Sequence, residues 1–232
     1  MISKDITEIE EIIPAIDHHD EDDFQYRYCT EALIEKQSDI SDFKTLLSDL
    51  GDSMVQVKGK SKIRVHLHTN DPAEMFKRLS IHGRRIIEQK VDDMVLQYDR
   101  IHNRKFKTVI MTDSIADLPK EMIDDAQVHV VHLSLLVGEE SYFDKLTVSN
   151  ERLFDLAESK KIHPTSSQPT VKSIENAYNY LLSYYENIVV FTVAQALSGT
   201  YNAFKKAAEQ LDEMQQGDPY RRHETKFSRW RV

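Results

Sequence analysis

Two groups of side chains in this sequence have the types and spacing to do chemistry. The first is a thiol with two imidazoles. In the run KIRVHLHTN, Ile63, Val65 and Leu67 alternate with Arg64, His66 and His68. The two-residue period of a strand turns both imidazoles to one face. Cys29 falls on the polar face of its own alternating run, opposite Phe24, Tyr26 and Tyr28. If the two strands share a sheet, a thiolate and two imidazoles converge, a donor set that suits Zn²⁺ with water as the fourth ligand. The same residues also read as two half-exposed histidines on a sheet surface beside an unrelated cysteine.

The second group is made of hydroxyls. PTSSQPT (164–170) sets Thr165, Ser166 and Ser167 in a row, with Thr170 placed to cap the next helix. LSGTY (197–201) puts Ser198 at the start of the last helix. Helix N-termini carry unpaired N–H groups and partial positive charge, and hydroxyls beside them add donors for one anion. A carboxylate or a phosphate suits such a pocket. Taken singly, each loop also reads as ordinary capping. No base stands near Ser198 in sequence and no G-x-S-x-G elbow occurs, so Ser198 is not read as a hydrolytic nucleophile.

The elements that must carry these residues follow from patterning. Residues 24–33 alternate as a strand, and Ser41 caps a helix with Phe43, Leu46, Leu47 and Leu50 on one stripe and Gly51 past its end. Strands at 53–57 and 62–68 follow. Asp71-Pro72-Ala73-Glu74 opens a helix, with Asp71 as cap and Glu74 closing a capping box. Its stripe is Met75, Phe76 and Leu79, Gly83 ends it, and a strand spans 84–89. The order β-α-β-β-α-β is that of a ferredoxin-like split βαβ domain, an α+β module over 24–97. Residues 1–23 read as an acidic segment and linker, and 98–105 as a connector. A second, α/β module over 106–212 alternates strands at 107–112, 128–133 and 188–192 with helices near 119–123, around Phe154, at 171–185 and at 198–214. The expected apolar faces are Ile174, Ala177, Tyr178, Leu181 and Leu182, then Tyr201, Phe204, Ala208 and Leu211. Strands alternating with helices imply a mainly parallel sheet, which binds ligands at the carboxyl ends of its strands.

Composition narrows the function classes. A net charge of −9 argues against general nucleic-acid binding, and the basic cluster Arg221, Arg222, Lys226, Arg229 and Arg231 reads as a solvated tail within 213–232. One cysteine excludes an intramolecular disulfide, leaving Cys29 as apolar filler, reactive thiol or metal ligand. Six glycines and no P-loop or GxGxxG pattern argue against a phosphate-binding loop. No apolar run approaches the ~20 residues of a membrane span. The acidic opening MISKDITEIEEII is not a signal peptide, so a cytoplasmic location is expected.

The phrases YCTE (28–31), LGDSMVQV (50–57) and VHLHTNDP (65–72) resemble the middle domain of fatty acid kinase, a dihydroxyacetone-kinase-like family. That resemblance implies a zinc ion held by Cys29, His66 and His68. TDSIADLP (112–119), SSQPT (166–170) and LSGTY, in that order, resemble the DegV family of fatty-acid-binding proteins over residues 107 to about 211. This second resemblance implies a three-layer α/β domain in which Ser166, Ser167 and Ser198 hold an acyl carboxylate. Thr165 and Ser114 stand beside them as further head-group candidates. Ser166 takes the place of the family's usual Thr, and Val193-Ala194-Gln195 replaces its usual Ile-Ser-Ser, which removes two hydroxyls.

Together the resemblances imply an acyl carrier that presents a long-chain fatty acid to the ATP-binding domain of a fatty acid kinase, without catalysis of its own. The alternatives are a metal-dependent hydrolase or phosphatase built on Cys29, His66 and His68, and a structural remnant. Neither the kinase's ATP-binding domain nor the DegV half that closes over the acyl chain is recognised, and the resemblance is read as ending near Glu213. The chain is therefore expected to be an internal piece of a longer fusion or the product of a truncated reading frame. Weak or absent lipid binding in isolation and self-association through exposed apolar surface are expected with it.

Overall fold

The β-α-β-β-α-β order implied for the first module is the order found. The computed structural model describes residues 24–35, 43–81 and 85–216, with side chains through Leu211. The expected cap Ser41, the helix-ending Gly83, the acidic segment 1–23 and the basic cluster 221–231 lie outside the described residues. Strand β1 is Tyr28–Glu35, α1 Phe43–Leu47, β2 Gly51–Lys58, β3 Lys62–Thr69, α2 Pro72–Ile81, β4 Ile86–Asp93 and α3 Met94–His102. The sheet order is β2-β3-β1-β4, with every neighbouring pair antiparallel.

Its core is the face that alternation assigned to it. Ala32, Ile34, Ile63, Val65 and Leu67 pack against Phe43 and Leu47 of α1 and Met75, Phe76 and Leu79 of α2. Removal of this apolar surface from water is what chiefly holds the helices to the sheet.

Several boundaries differ from the sequence reading, each for a local reason. β1 begins at Tyr28, not 24, because Asn70 takes the preceding backbone out of the ladder. Its side chain accepts from Arg27 N at 2.9 Å and donates to Gln25 O at 3.1 Å. β4 runs on to Asp93, since the polar stretch EQKVDD pairs along β1 as far as Tyr28↔Asp93. The Asp71 cap forms, accepting from Glu74 N at 2.9 Å. The capping box does not, because Thr69 Oγ1 takes the Asp71 N–H at 3.0 Å, while the Glu74 carboxylate pairs with Lys77 and Arg78. Gly51 is not a helix terminator but the first residue of β2. A Cβ there would collide with the backbone carbonyl of His68. Two residues on, Ser53 (φ 51°) makes the bulge that shifts the β2–β3 register between Asp52 and Val55.

The chain divides into two compact units: the described parts of Met1–Gln97 with Val137–His163, and of Tyr98–Leu136 with Pro164–Val232. Residues 137–163, assigned in the sequence to the second module, thus cluster with the first, where the Gln89 side-chain amide donates to Ser141 O.

Onward from α3 the elements are β5 Thr108–Asp113, a 3₁₀ turn Ser114–Ala116, α4 Lys120–Asp125, β6 His129–Val131, β7 Ser134–Val137, β8 Glu140–Phe143, α5 Asn150–Lys160, β9 Thr165–Ser167, α6 Val171–Leu182, β10 Asn187–Phe191 and α7 Thr200–Gln216. The sheet β10-β5-β6 is parallel throughout, as alternation implied. β7 and β8 are not anticipated by the sequence pattern, and the loop 164–170 contains β9, which pairs antiparallel with β7.

The α6 stripe is as read, with Ile174, Tyr178 and Leu181 buried in the second core and Ala177 and Leu182 packed against it. For α7 the face rotates. The helix starts at Thr200, not Ser198, and buries Ala203, Phe204, Ala207 and Leu211, while Tyr201 is exposed. The small alanines admit the Tyr178 ring, whose hydroxyl donates to Phe204 O at 3.3 Å. No helix among the described residues is long and apolar enough to cross a membrane.

This packing can be tested at two residues. Gly51→Ala, which pushes β2 off β3, is expected to destabilise the protein by about 2 kcal/mol, seen as a thermal midpoint lowered by several degrees. The second residue is His129, whose Nδ1 lies 3.1 Å from Arg100 Nη2 and so accepts from it. Burial first, then the charges of Arg100 and His132, push His129 from 6.5 down to about 3. The unfolded chain therefore takes up this proton first, and the contribution is intact above pH 6.5 and lost progressively between 6.5 and about 3. Chemical denaturation across that window is expected to show a smaller acid-induced loss for His129→Gln than for the wild type.

Candidate functional site

In the β1–β3 ladder Cys29 lies opposite His68 and Glu31 opposite His66. That register delivers the convergence read from the sequence. One ligand atom from each of Cys29, His66 and His68 lies within 4.8 Å of the others, and Cys29 Sγ is 3.8 Å from His66 Nδ1. A tetrahedral zinc site spaces its ligand atoms by about 3.5 Å, so small side-chain adjustments close the gap.

Two further observations test whether a cation fits. His66 is 1% exposed, and its Nε2 is buried without a hydrogen-bond partner; a buried polar atom left so is costly unless something coordinates it. Carboxylates also stand behind both rings, Glu31 Oε1 at 3.6 Å from His66 Nδ1 and Asp52 Oδ1 at 3.8 Å from His68 Nδ1. A carboxylate at Nδ1 orients a histidine that ligates through its other ring nitrogen, so for His66 the unpartnered Nε2, and not the Nδ1 that faces Cys29 and Glu31, is the atom available to a cation. Spacing reasoning missed Glu31 and Asp52, although the same alternation that found Cys29 also put Glu31 on its face.

The electrostatics are those of a site that attracts a cation. Burial, then Asp92 and Glu31, push the Cys29 thiol up to about 11 against the opposing charge of Lys90. His66 chiefly holds Glu31 down at about 2, against burial and with help from Lys90 and Arg64. A bound cation reverses the pressure on the thiol, because metal ligation deprotonates it.

The hydroxyl residues are arranged differently from the row in the sequence. Thr165, Ser166 and Ser167 are β9 itself, all exposed, paired with Leu136, Leu135 and Ser134 respectively. Strand alternation therefore turns Ser166 away from the face shared by Thr165 and Ser167. Thr170 caps α6, accepting from Ser173 N at 3.1 Å. Ser114 is 3% exposed, and its Oγ accepts from Leu133 N at 3.1 Å, so it braces the chain after β6. Ser198 precedes α7 and is half-buried; its Oγ accepts from Thr200 N at 3.2 Å and lies 2.9 Å from Thr200 Oγ1.

The two hydroxyl-bearing segments meet. The side-chain amide of Gln168, one residue beyond β9, occupies the space that a Cβ at Gly199 would need. Asp113, at the carboxyl end of β5, ties in the third segment. It is 1% exposed, and its two oxygens accept from Ile115 N at 3.1 Å and Val193 N at 3.3 Å. Around these strand ends Leu197 is 79% exposed, with Phe191 and Ile115 also open to solvent. Gln168, Asp113 and Thr200 carry no signal in the sequence beyond the motifs that contain them. Among the described residues, Ser198 Oγ has neither an imidazole nor a carboxylate beside it.

Comparison with known proteins gives two family matches. Residues 107–229 match the family described as "Uncharacterised protein, DegV family", and residues 25–101 match the middle domain of fatty acid kinase-like proteins. The first match runs past Glu213, where the sequence reading ended the resemblance; α7 itself continues to Gln216. A DegV domain-containing protein of Staphylococcus aureus (strain N315) is 33% identical over 106 residues, covering 46% of this chain and 38% of its own length. A DegV domain-containing 15.5 kDa protein of Staphylococcus aureus is 33% identical and is covered over 75% of its length. The chain thus spans little over a third of the first of these relatives.

Among solved structures, DegV of Bacillus subtilis, described as a fatty acid binding protein, is 24% identical, with a TM-score of 0.43 over 46% of this chain and 38% of that one. A stearic acid-binding protein from Eubacterium ventriosum is 28% identical, with a TM-score of 0.42 over 47% of this chain and 38% of that one. Matched over more than half its length, the chain belongs to the DegV family, and it carries a fatty acid kinase-like middle domain ahead of its DegV region.

Proposed function

We propose that the DegV region holds the carboxylate of a long-chain fatty acid. The observation that carries this reading is the meeting of β9 and LSGTY through Gln168 and Gly199 at the carboxyl end of a parallel sheet. There Ser198 sits before a 17-residue helix whose first-turn N–H groups have no intrahelical acceptor. Charge-assisted hydrogen bonds from such donors favour an acceptor-only anion. Exposed Leu197, Phe191 and Ile115 offer apolar surface for the start of an acyl chain. Because Ser166 and Ser167 point to opposite faces of β9, only one of them shares the anion with Ser198. Membership of the DegV family, whose motifs imply an acyl carboxylate as ligand, supports the same ligand class.

In the same reading, Cys29, His66 and His68 hold a zinc ion that cross-links β1 and β3. With three protein ligands the ion would tie the two strands together and keep its fourth position for water. The kinase-like middle domain points to a fatty acid kinase ATP-binding domain as partner. Joining carrier and middle domain in one chain raises the effective concentration of head group near that partner.

Two measurements test these assignments. Oleate titrated calorimetrically into the chain is expected to bind weakly, to be lost in Ser198→Ala, and to be weakened about tenfold by one of Ser166→Ala and Ser167→Ala but not the other. Equal binding by all four proteins would remove the head-group assignment. Elemental analysis of the purified chain is expected to find roughly one zinc per molecule, lost in Cys29→Ser, with a chelator lowering the thermal midpoint only of the metal-bearing protein. Zinc at the same level in Cys29→Ser would refute the metal assignment.

A further inference from the structure

The hydroxyl pair Ser198–Thr200 has a hydrogen-bond direction that the surrounding burial decides. Each hydroxyl has one proton to donate and two lone pairs. Thr200 is fully buried, and among the described residues the partner of its Oγ1 is Ser198 Oγ at 2.9 Å. If Ser198 donated to Thr200, the Thr200 proton would be left without an acceptor where water does not reach, a costly arrangement. If Thr200 donates, its proton is satisfied. Ser198 Oγ then accepts twice, from Thr200 O–H and from Thr200 N–H at 3.2 Å. The one proton left over belongs to Ser198, whose side chain is half-buried, so that proton is not sealed away as the Thr200 proton would be.

We infer that Thr200 is the positioning residue of the head-group site, fixing Ser198 as an outward donor. Thr200 never touches the ligand. As the first residue of α7 it is stiffened by its β-branch and by the helix it begins. A donor so fixed prefers a ligand group that only accepts, an ionised carboxylate, over a neutral alcohol whose own proton finds no acceptor there. The inference rests on the proposed carboxylate site and adds the origin of its head-group selectivity.

The test has an arm without ligand and an arm with it. In a double-mutant cycle of Ser198→Ala and Thr200→Val on the whole chain, followed by chemical denaturation, the double variant is expected to lose less stability than the two single losses combined. Additive losses overturn the hydroxyl pair. In the second arm, Thr200→Val is expected to narrow the preference for oleate over oleyl alcohol by about tenfold, and Thr200→Ser, which keeps the hydroxyl, to restore it. Unchanged selectivity in Thr200→Val, or no restoration by Thr200→Ser, overturns the positioning role. If the wild-type chain binds neither lipid, the head-group reading falls and the positioning role falls with it; the cycle still decides the pair, non-additivity supporting the coupling of the two hydroxyls and additivity overturning it.

Discussion

A strand turns successive side chains to opposite faces, and that two-residue period governs both candidate sites, with opposite results. In the antiparallel pair β1–β3 it brings Cys29, His66 and His68 to one face, with Glu31 behind His66. In β9 it does the reverse, splitting Ser166 from Thr165 and Ser167 although the three are consecutive. A one-residue slip in either ladder would exchange the faces completely. In the first sheet that slip is opposed by the apolar face, because either Ala32 and Ile34 of β1 or Ile63, Val65 and Leu67 of β3 would have to leave the core. The donor set is therefore held in place by residues that never approach it.

How much of this was legible in the sequence depended on whether a signal was periodic. The alternation of Ile63, Val65 and Leu67 with Arg64, His66 and His68 is long and unambiguous, so both the core and the imidazole face were readable. β9 has no such pattern; three small polar residues look like a loop, and only pairing with β7 makes them a strand. Competition among hydrogen-bond donors was also invisible. Glu74 had the right spacing for a capping box, yet Thr69 Oγ1 already satisfies Asp71 N, and the carboxylate turns to Lys77 and Arg78 instead. Gly51 was read as a helix end because glycine is common there. Its reason is steric and lies across the sheet, at the carbonyl of His68.

The second site shows a related limit. Sequence motifs name the side chains that differ in chemistry, whereas much of what holds the loops is backbone. Val193-Ala194-Gln195 departs from the family's usual run by two hydroxyls, which looks like a loss. Yet the attachment of that loop to β5 is through the Val193 N–H, received by the buried Asp113 carboxylate, and Leu197 N is returned to Ala194 O at 2.8 Å. Neither bond depends on the side chains that changed. The substitutions therefore alter which hydroxyls line the loop without cutting what fixes its path.

That separation gives the hydroxyl of Ser198 the larger part in the proposed carboxylate site. Asp113 places a buried negative charge at the strand ends, which disfavours an anion nearby unless donors outweigh it. Two of its acceptor positions are spent on Ile115 N and Val193 N, so part of its charge is met within the protein. What remains must be offset by groups aimed at the ligand. The helix start of α7 supplies a partial positive charge that fades within its first turn. In the inferred arrangement the hydroxyl of Ser198 supplies a proton just outside it. Removing either donor leaves the anion facing a like charge, so a site built this way discriminates by hydrogen-bond direction as well as by charge.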